Sequence, residues 1–117
     1  MQQIIPAKLL RVLISEADRL ANKPLYEAIV AKCHEMKIAG ATVFRGVEGY
    51  GETGEMHKAH LVHPDRPILI TIVDTVDNIE LITPVIEQMM KTGVIAKSDV
   101  NMIRVRGGKT AEGGGTK

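Results

Sequence analysis

Residues 49–54 read Gly-Tyr-Gly-Glu-Thr-Gly, a G-x-G-x-x-G spacing. Glycines in that pattern let a backbone turn tightly and bring N–H groups up to a phosphate. The dinucleotide version follows a strand and opens a helix. A strand precedes it here, but 56–67 has no helical stripe and contains Pro64 and Pro67, so a dinucleotide-binding fold is not expected. A glycine-rich bend at the base of a long loop fits better, either as a plain turn or as a nest that cradles a phosphate. His57, His60 and His63 follow at every third residue. A helix would gather them on one side and a strand would alternate them. The prolines and the intervening Leu61-Val62 favour extended chain, which disfavours a three-histidine metal site within one chain. His57, beside the glycines, is a candidate phosphate contact. The alternative is a metal site in which His57, His60 and His63 from three chains converge on one axis; a metal titration without nucleotide separates the two. Arg104 and Arg106 lie two apart on the last strand and so share a face. Two guanidiniums there suit bidentate recognition of phosphate or carboxylate, the plain alternative being a solvated strand end. Cys33 falls on an apolar helix stripe and reads as a small buried hydrophobe. No Ser/His/Asp order and no close carboxylate pair forms a catalytic set, so neither an enzyme nor a cofactor is expected.

The frame that carries these residues is read from periodicity. Residues 7–15 predict a strand with Leu10, Val12 and Ile14 on one face and Leu9, Arg11 and Leu13 on the other. A polar stretch, 16–23, leads to a helix up to about Lys37, with Asn22 as cap, Pro24 in its first turn and a stripe of Leu25, Ala28, Ile29, Cys33 and Met36. Gly40 is its expected stop. Strands follow at 41–47 and 68–73. Asp77 and Glu80 predict a capping box for a second helix to about Thr92, striped by Ile79, Ile82, Ile86 and Met89 or Met90 and kinked or restarted at Pro84. Residues 100–106 make the fourth strand. The order is βαββαβ, an α+β ferredoxin-like sandwich over 1–106, with a loop at about 52–66 and a disordered Gly-rich tail at 107–117. Two helices cover one face of such a sheet. The other carries Leu9 and Leu13, and strand three is apolar on both sides, so a homo-oligomer that buries the second face is expected.

Composition narrows the function classes. At 117 residues the chain makes one domain, and a hydrophobic share of 44% is enough for a core. Fifteen basic against fourteen acidic residues leave +1, which gives no bulk attraction to nucleic acid or a membrane surface. One cysteine makes no disulfide framework, and cytoplasm is the default compartment. The first eight residues show no signal-peptide pattern, and no apolar run is long enough to span a membrane. Three aromatics leave few stacking platforms for single-stranded nucleic acid. An RNA-recognition surface needs aromatics on strands one and three, and 9–13 and 68–73 have none. An acylphosphatase-type phosphate loop would fall at 16–23, which offers Asp18 and Arg19 without a glycine cradle.

The runs Leu10-Arg11-Val12 through Glu16, Pro24-Leu25-Tyr26-Glu27-Ala28-Ile29-Val30, Ala39-Gly40-Ala41-Thr42-Val43-Phe44-Arg45-Gly46 and Gly49-Tyr50-Gly51 closely resemble the uncharacterised PII-like family, long filed as a domain of unknown function. The likeness continues through His57, Ile72-Val73-Asp74 and Ile103-Arg104 and covers roughly residues 8–106. It implies a ferredoxin-like trimer similar to the PII nitrogen-regulatory signal-transduction proteins. Those bind adenine nucleotides between subunits and touch a target protein with a long mobile T-loop. By that likeness Gly49, Tyr50 and Gly51 match the loop base, Thr92-Gly93 the turn after helix two, and Arg104 and Arg106 a phosphate-binding pair. Val94 stands where PII proteins place a phosphate-gripping lysine, 95–98 replaces a longer Gly-rich stretch and strand, and Glu52 and Thr53 replace an arginine and a glutamine. The loop has no tyrosine beyond Tyr50, so uridylylation at its tip is not expected. The implied nucleotide contacts are Gly49, Tyr50, Gly51, Glu52, Thr53, His57, Gly93, Arg104 and Arg106. With the lysine missing and Glu52 added, AMP, ADP or a cyclic nucleotide is favoured over ATP. The implied protein is a cytoplasmic regulator whose partner is a target protein, a membrane transporter being one class. The loop is expected to be mobile until ligand binding shifts its population.

Overall fold

A computed structural model of the chain describes residues 3–50, 56–58 and 66–106. Its frame is one antiparallel sheet built round β1 (Ile4–Ser15), with two short strands, β2 (Arg19–Leu20) and β3 (Lys23–Pro24), leading into helix α1 (Leu25–Glu35). Strand β4 (Thr42–Arg45) follows, then a small ladder of β5 (Glu48–Tyr50) and β6 (Met56–Lys58). Strand β7 (Pro67–Thr75), helix α2 (Val76–Met89) and β8 (Val94–Ile103) complete the described chain. The sheet order is β4-β7-β1-β8, the ferredoxin-like arrangement that the βαββαβ rhythm predicts.

Alternation produces the core. Leu10, Val12 and Ile14 of β1 and Ile68, Ile70 and Ile72 of β7 are buried against Leu25, Ile29 and Cys33 of α1 and Ile79, Ile82 and Ile86 of α2. These are the stripes the spacing predicts, except that Ala28, Met36, Met89 and Met90 are only half-buried. Burial pushes the Cys33 thiol up to about 11. Native protein at pH 8 therefore leaves Cys33 unreactive towards a thiol reagent, and one thiol per chain reacts in urea. The folded thiol ionises later than the unfolded one. Stability is therefore unaffected below the ordinary thiol value of 9.0 and falls as pH rises from there towards about 11. Rapid native labelling would contradict the buried placement.

Among the described residues, no helix lies over the opposite sheet face. Residues paired across an antiparallel ladder point the same way. The register therefore sets Phe44, Leu69, Leu13 and Val94 in one row across all four strands. Phe44 is 52% exposed, Leu13 43% and Val94 45%, so the apolar second face that the sequence predicts is present and uncovered in the single chain.

Several boundaries differ from expectation. β1 starts at Ile4 and β8 at Val94, because the two pair along their whole length from Ile4 with Ile103 to Leu13 with Val94. β8 ends at Ile103, which leaves Arg104 and Arg106 just past the strand. Strand two stops at Arg45. Helix α1 begins after Pro24, with no side-chain cap from Asn22, and ends at Glu35 with Lys37 at φ 63°; Gly40 plays no part in stopping it. The cap of α2 is Thr75, whose Oγ1 accepts from the Asn78 N–H at 3.3 Å, rather than Asp77. That helix runs unbroken through Pro84 and ends at Met89. Asp74 is buried and accepts from the Ala39 N–H at 2.9 Å and the Thr75 N–H at 2.7 Å, so it ties the approach to β4 to the start of α2. No described helix is long and apolar enough to cross a membrane. Residues 51–55, 59–65 and 107–117 lie outside the described chain, and with them most of the expected loop and the expected tail.

Candidate functional site

The sheet has two ends, and the candidate residues divide between them. At one end, Gly46 and Val47 leave β4 and lead into β5. β5 pairs with β6 so that Gly49 faces His57 and Tyr50 faces Met56 across the ladder. The structure thus brings Gly49, Tyr50 and His57 together as backbone neighbours, and His57 is in extended chain as its surroundings predict. Gly51, Glu52, Thr53, His60 and His63 lie outside the described residues. Among the described residues no group of three or more histidines, cysteines and acids could hold a metal ion.

The root of this ladder is gripped by polar contacts. The Gly46 N–H donates to the Pro67 carbonyl at 2.7 Å, and the Glu16 N–H donates to the Arg66 carbonyl at 2.8 Å. The Arg45 guanidinium reaches Glu16 Oε2 at 2.7 Å through one terminal nitrogen and donates to it through Nε at 2.9 Å. Glu16, with a smaller contribution from Tyr26, holds the Arg45 guanidinium above its ordinary range. A Cβ on Gly46 would sit 2.7 Å from Pro67 Cγ, so a side chain at 46 would force the root apart.

Gly93 lies at the same end, at the opposite edge of the sheet. Three inter-strand spacings, about 14 Å, separate the β4 and β8 edges. Its φ of 133° and the Leu13 carbonyl 2.7 Å from where a Cβ would stand give Gly93 a backbone reason of its own. Beside it, a cavity of about 630 Å³ opens between the last turns of α2 and the start of β8, lined by Thr83, Glu87, Met90, Lys91, Thr92, Gly93, Ile95 and Lys97. Val94 offers no cation, and Lys91 and Lys97 bring two to this cavity. Sequence alone does not bring them together, because it predicts the last strand only from Val100, whereas β8 starts at Val94. As part of β8, Lys97 pairs opposite Leu10, on the helix-covered side, 3.4 Å from Glu80. Lys8 completes that charged strip, 3.2 Å from Asp99 and 3.6 Å from Glu80; Asp99 first, then Glu80, hold its ammonium above the ordinary range.

Arg104 and Arg106 are at the other end. Both are exposed, and Arg104 Nη2 lies 3.9 Å from Met102 Sδ. From Val94 to Ile103 the strand rises about 30 Å, so within one chain these arginines cannot share a small ligand with Gly93.

The family model for DUF190 (Uncharacterized ACR, COG1993) matches residues 7–102. The chain belongs to the DUF190 family. A curated relative, the UPF0166 protein of Aquifex aeolicus (strain VF5), is 34% identical over 103 residues, covering 86% of this chain and 97% of that protein. Among solved structures, the fold is similar to CPII, a nitrogen regulatory PII-like protein from Thiomonas intermedia K12 bound to ADP, AMP and bicarbonate. The TM-score is 0.64 at 17% identity, covering 86% of this chain and 98% of that one. A PII-like signaling protein from Thermus thermophilus is similar at TM-score 0.61 and 13% identity, over 88% of this chain and 93% of that one. At these identities the likeness establishes the fold. The DUF190 match takes in Gly93 and both strands of the β5–β6 ladder, and stops short of Arg104.

Proposed function

We propose that this DUF190 chain, one domain over 1–106, is a non-enzymatic PII-like regulator. It assembles as a homotrimer and binds an adenine nucleotide between subunits. The observation that carries this reading is the separation of the candidate residues. Gly49, Tyr50, His57 and Gly93 stand at one end of the sheet, and Arg104 and Arg106 about 30 Å away at the other. A ligand contacted by both sets needs two chains, and the uncovered row from Phe44 to Val94 gives the chains a reason to associate. The fold's likeness to a protein bound to ADP and AMP supports the ligand class. Gly51, Glu52 and Thr53, outside the described residues, complete the candidate contacts, and the cavity beside Gly93 offers Lys91 as a cation, with Lys97 paired to Glu80 and Glu87 also in the lining. With Val94 at the lysine position, AMP, ADP or a cyclic nucleotide is favoured over ATP. Nucleotide binding orders the segment at about 52–66, which then binds or releases a partner protein, a membrane transporter being one class; a cytoplasmic location accords with that role.

Thermal-shift titration with AMP, ADP, ATP and cyclic nucleotides tests this, because a ligand that binds only the folded state raises the midpoint. AMP, ADP or a cyclic nucleotide should raise it more than ATP does. A flat response to all of them, with the oligomer intact, would overturn the nucleotide reading.

A further inference from the structure

Among the described residues, the β5–β6 ladder leaves the sheet beside β7, which β5 contacts. Only Gly46 and Val47 connect β4 to β5, and Val47 is 76% exposed, so no apolar packing at that residue fixes the angle at which the ladder leaves the sheet. The polar contacts at the root help to do so, and two of them belong to one residue. Through its backbone N–H, Glu16 grips the Arg66 carbonyl, on the chain that returns to the sheet. Through its carboxylate it grips Arg45, on the chain that leaves. Glu16 is itself fixed by the turn that follows β1. There Asp18 Oδ2 accepts from the Ser15 N–H at 2.9 Å, Ser15 Oγ accepts from the Ala17 N–H at 3.1 Å, and the Leu25 N–H at the head of α1 donates to the Asp18 carbonyl at 2.8 Å. The Glu16 side chain is only 16% exposed while that of Arg45 is 43% exposed. A carboxylate so withdrawn from water needs its cation, and a guanidinium that bonds one oxygen through two nitrogens is held in direction as well as in distance.

We propose that Glu16 is a positioning residue: acting through Arg45, it sets the direction of the β5–β6 ladder and so presents Gly49 and Tyr50 to the nucleotide. The effect on binding rests on the nucleotide reading above; the effect on the ladder does not.

The test is a double-mutant cycle of Glu16→Gln, Arg45→Gln and the pair together, on the full chain. ADP affinity is read by calorimetry and amide exchange is read at residues 46–50. Amides of β1 and α2 report global folding in the same experiment. Each single variant should weaken ADP binding about tenfold, the loss expected for one charge-assisted contact. Exchange at 46–50 should quicken while β1 and α2 stay protected. The double variant should be no worse than the singles, because the two side chains act only through each other. Three outcomes would overturn the proposal: Glu16→Gln with parental affinity and parental exchange at 46–50, losses that simply add in the double variant, or exchange that quickens equally in β1 and α2. If the parent binds no adenine nucleotide, the nucleotide reading fails by itself. The positioning role is then decided by exchange at 46–50, which needs no ligand.

Discussion

Replacing Arg104 or Arg106 with alanine should weaken ADP binding by about ten- to hundredfold, the equivalent of ~1.5–3 kcal/mol for a lost charge-assisted contact. Lysine at either position should recover little, because the fork geometry of a guanidinium is absent from an ammonium. Neither arginine has an ion-pair partner among the described residues, so the substitutions disturb no structural salt bridge. A sharper result comes from mixing subunits. Chains with both arginines replaced should bind poorly, as should chains carrying Tyr50→Ala. Co-assembled in equal amounts, the two populations should regain about a quarter of the parental sites, since an intact ladder then meets intact arginines from a neighbour at random. Parental affinity in both arginine variants would place the phosphate elsewhere. No recovery on mixing would confine the site to a single chain.

Placing a carboxylate at Leu13 should break the assembly. Leu13 sits in the row with Phe44, Leu69 and Val94, towards the ladder end of the uncovered face. If neighbours bury that row, each Leu13→Glu carboxylate enters an apolar contact unpaired, at a cost of several kcal/mol per ion. Light scattering should fall from three times 12.8 kDa towards 12.8 kDa. Leu81→Glu is the matched control, because Leu81 is an exposed residue of α2 on the outer surface. It should leave the trimer intact. Leu13→Glu that stays trimeric would show that the oligomer forms through another surface, and a parent that is monomeric would remove the inter-subunit site altogether.

Periodicity made the frame legible. The stripes of α1 and α2 and the alternation in β1 come from burial on one side, which the sequence records directly. What escaped is structure imposed by a neighbour. Lys97, Ser98 and Asp99 of β8 are all exposed, and nothing in their propensities marks a strand; the ladder to β1 makes them one. The β2–β3 turn is equally silent, since it uses Ala21 at φ 55°, where a glycine or asparagine would have announced it. At Lys37 a positive φ likewise falls on a residue that gives no signal. The site was legible only as parts. Gly49, Tyr50 and His57 could be picked out by type, but their pairing register could not. Lys91 and Lys97 gain a shared cavity only once β8 is extended to Val94. Glu16 and Arg45 are 29 residues apart in sequence, and their ion pair depends on the turn after β1 meeting the end of β4.

During synthesis β1 leaves the ribosome before both strands that flank it in the sheet. Its inner neighbour β7 begins at Pro67 and its outer neighbour β8 at Val94, so both edges of this long strand wait for the second half of the chain. Loop-closure entropy must be met before either ladder repays it, which places folding among the slower regimes of small domains. The interval also leaves an apolar strand with open edges in a crowded compartment, where pairing with a second nascent chain competes with pairing at home. The charged strip of Lys8, Glu80, Lys97 and Asp99 bears on that competition. Its partners are drawn from β1, α2 and β8, so the correct β8 meets complementary charge as it docks, and a foreign strand does not.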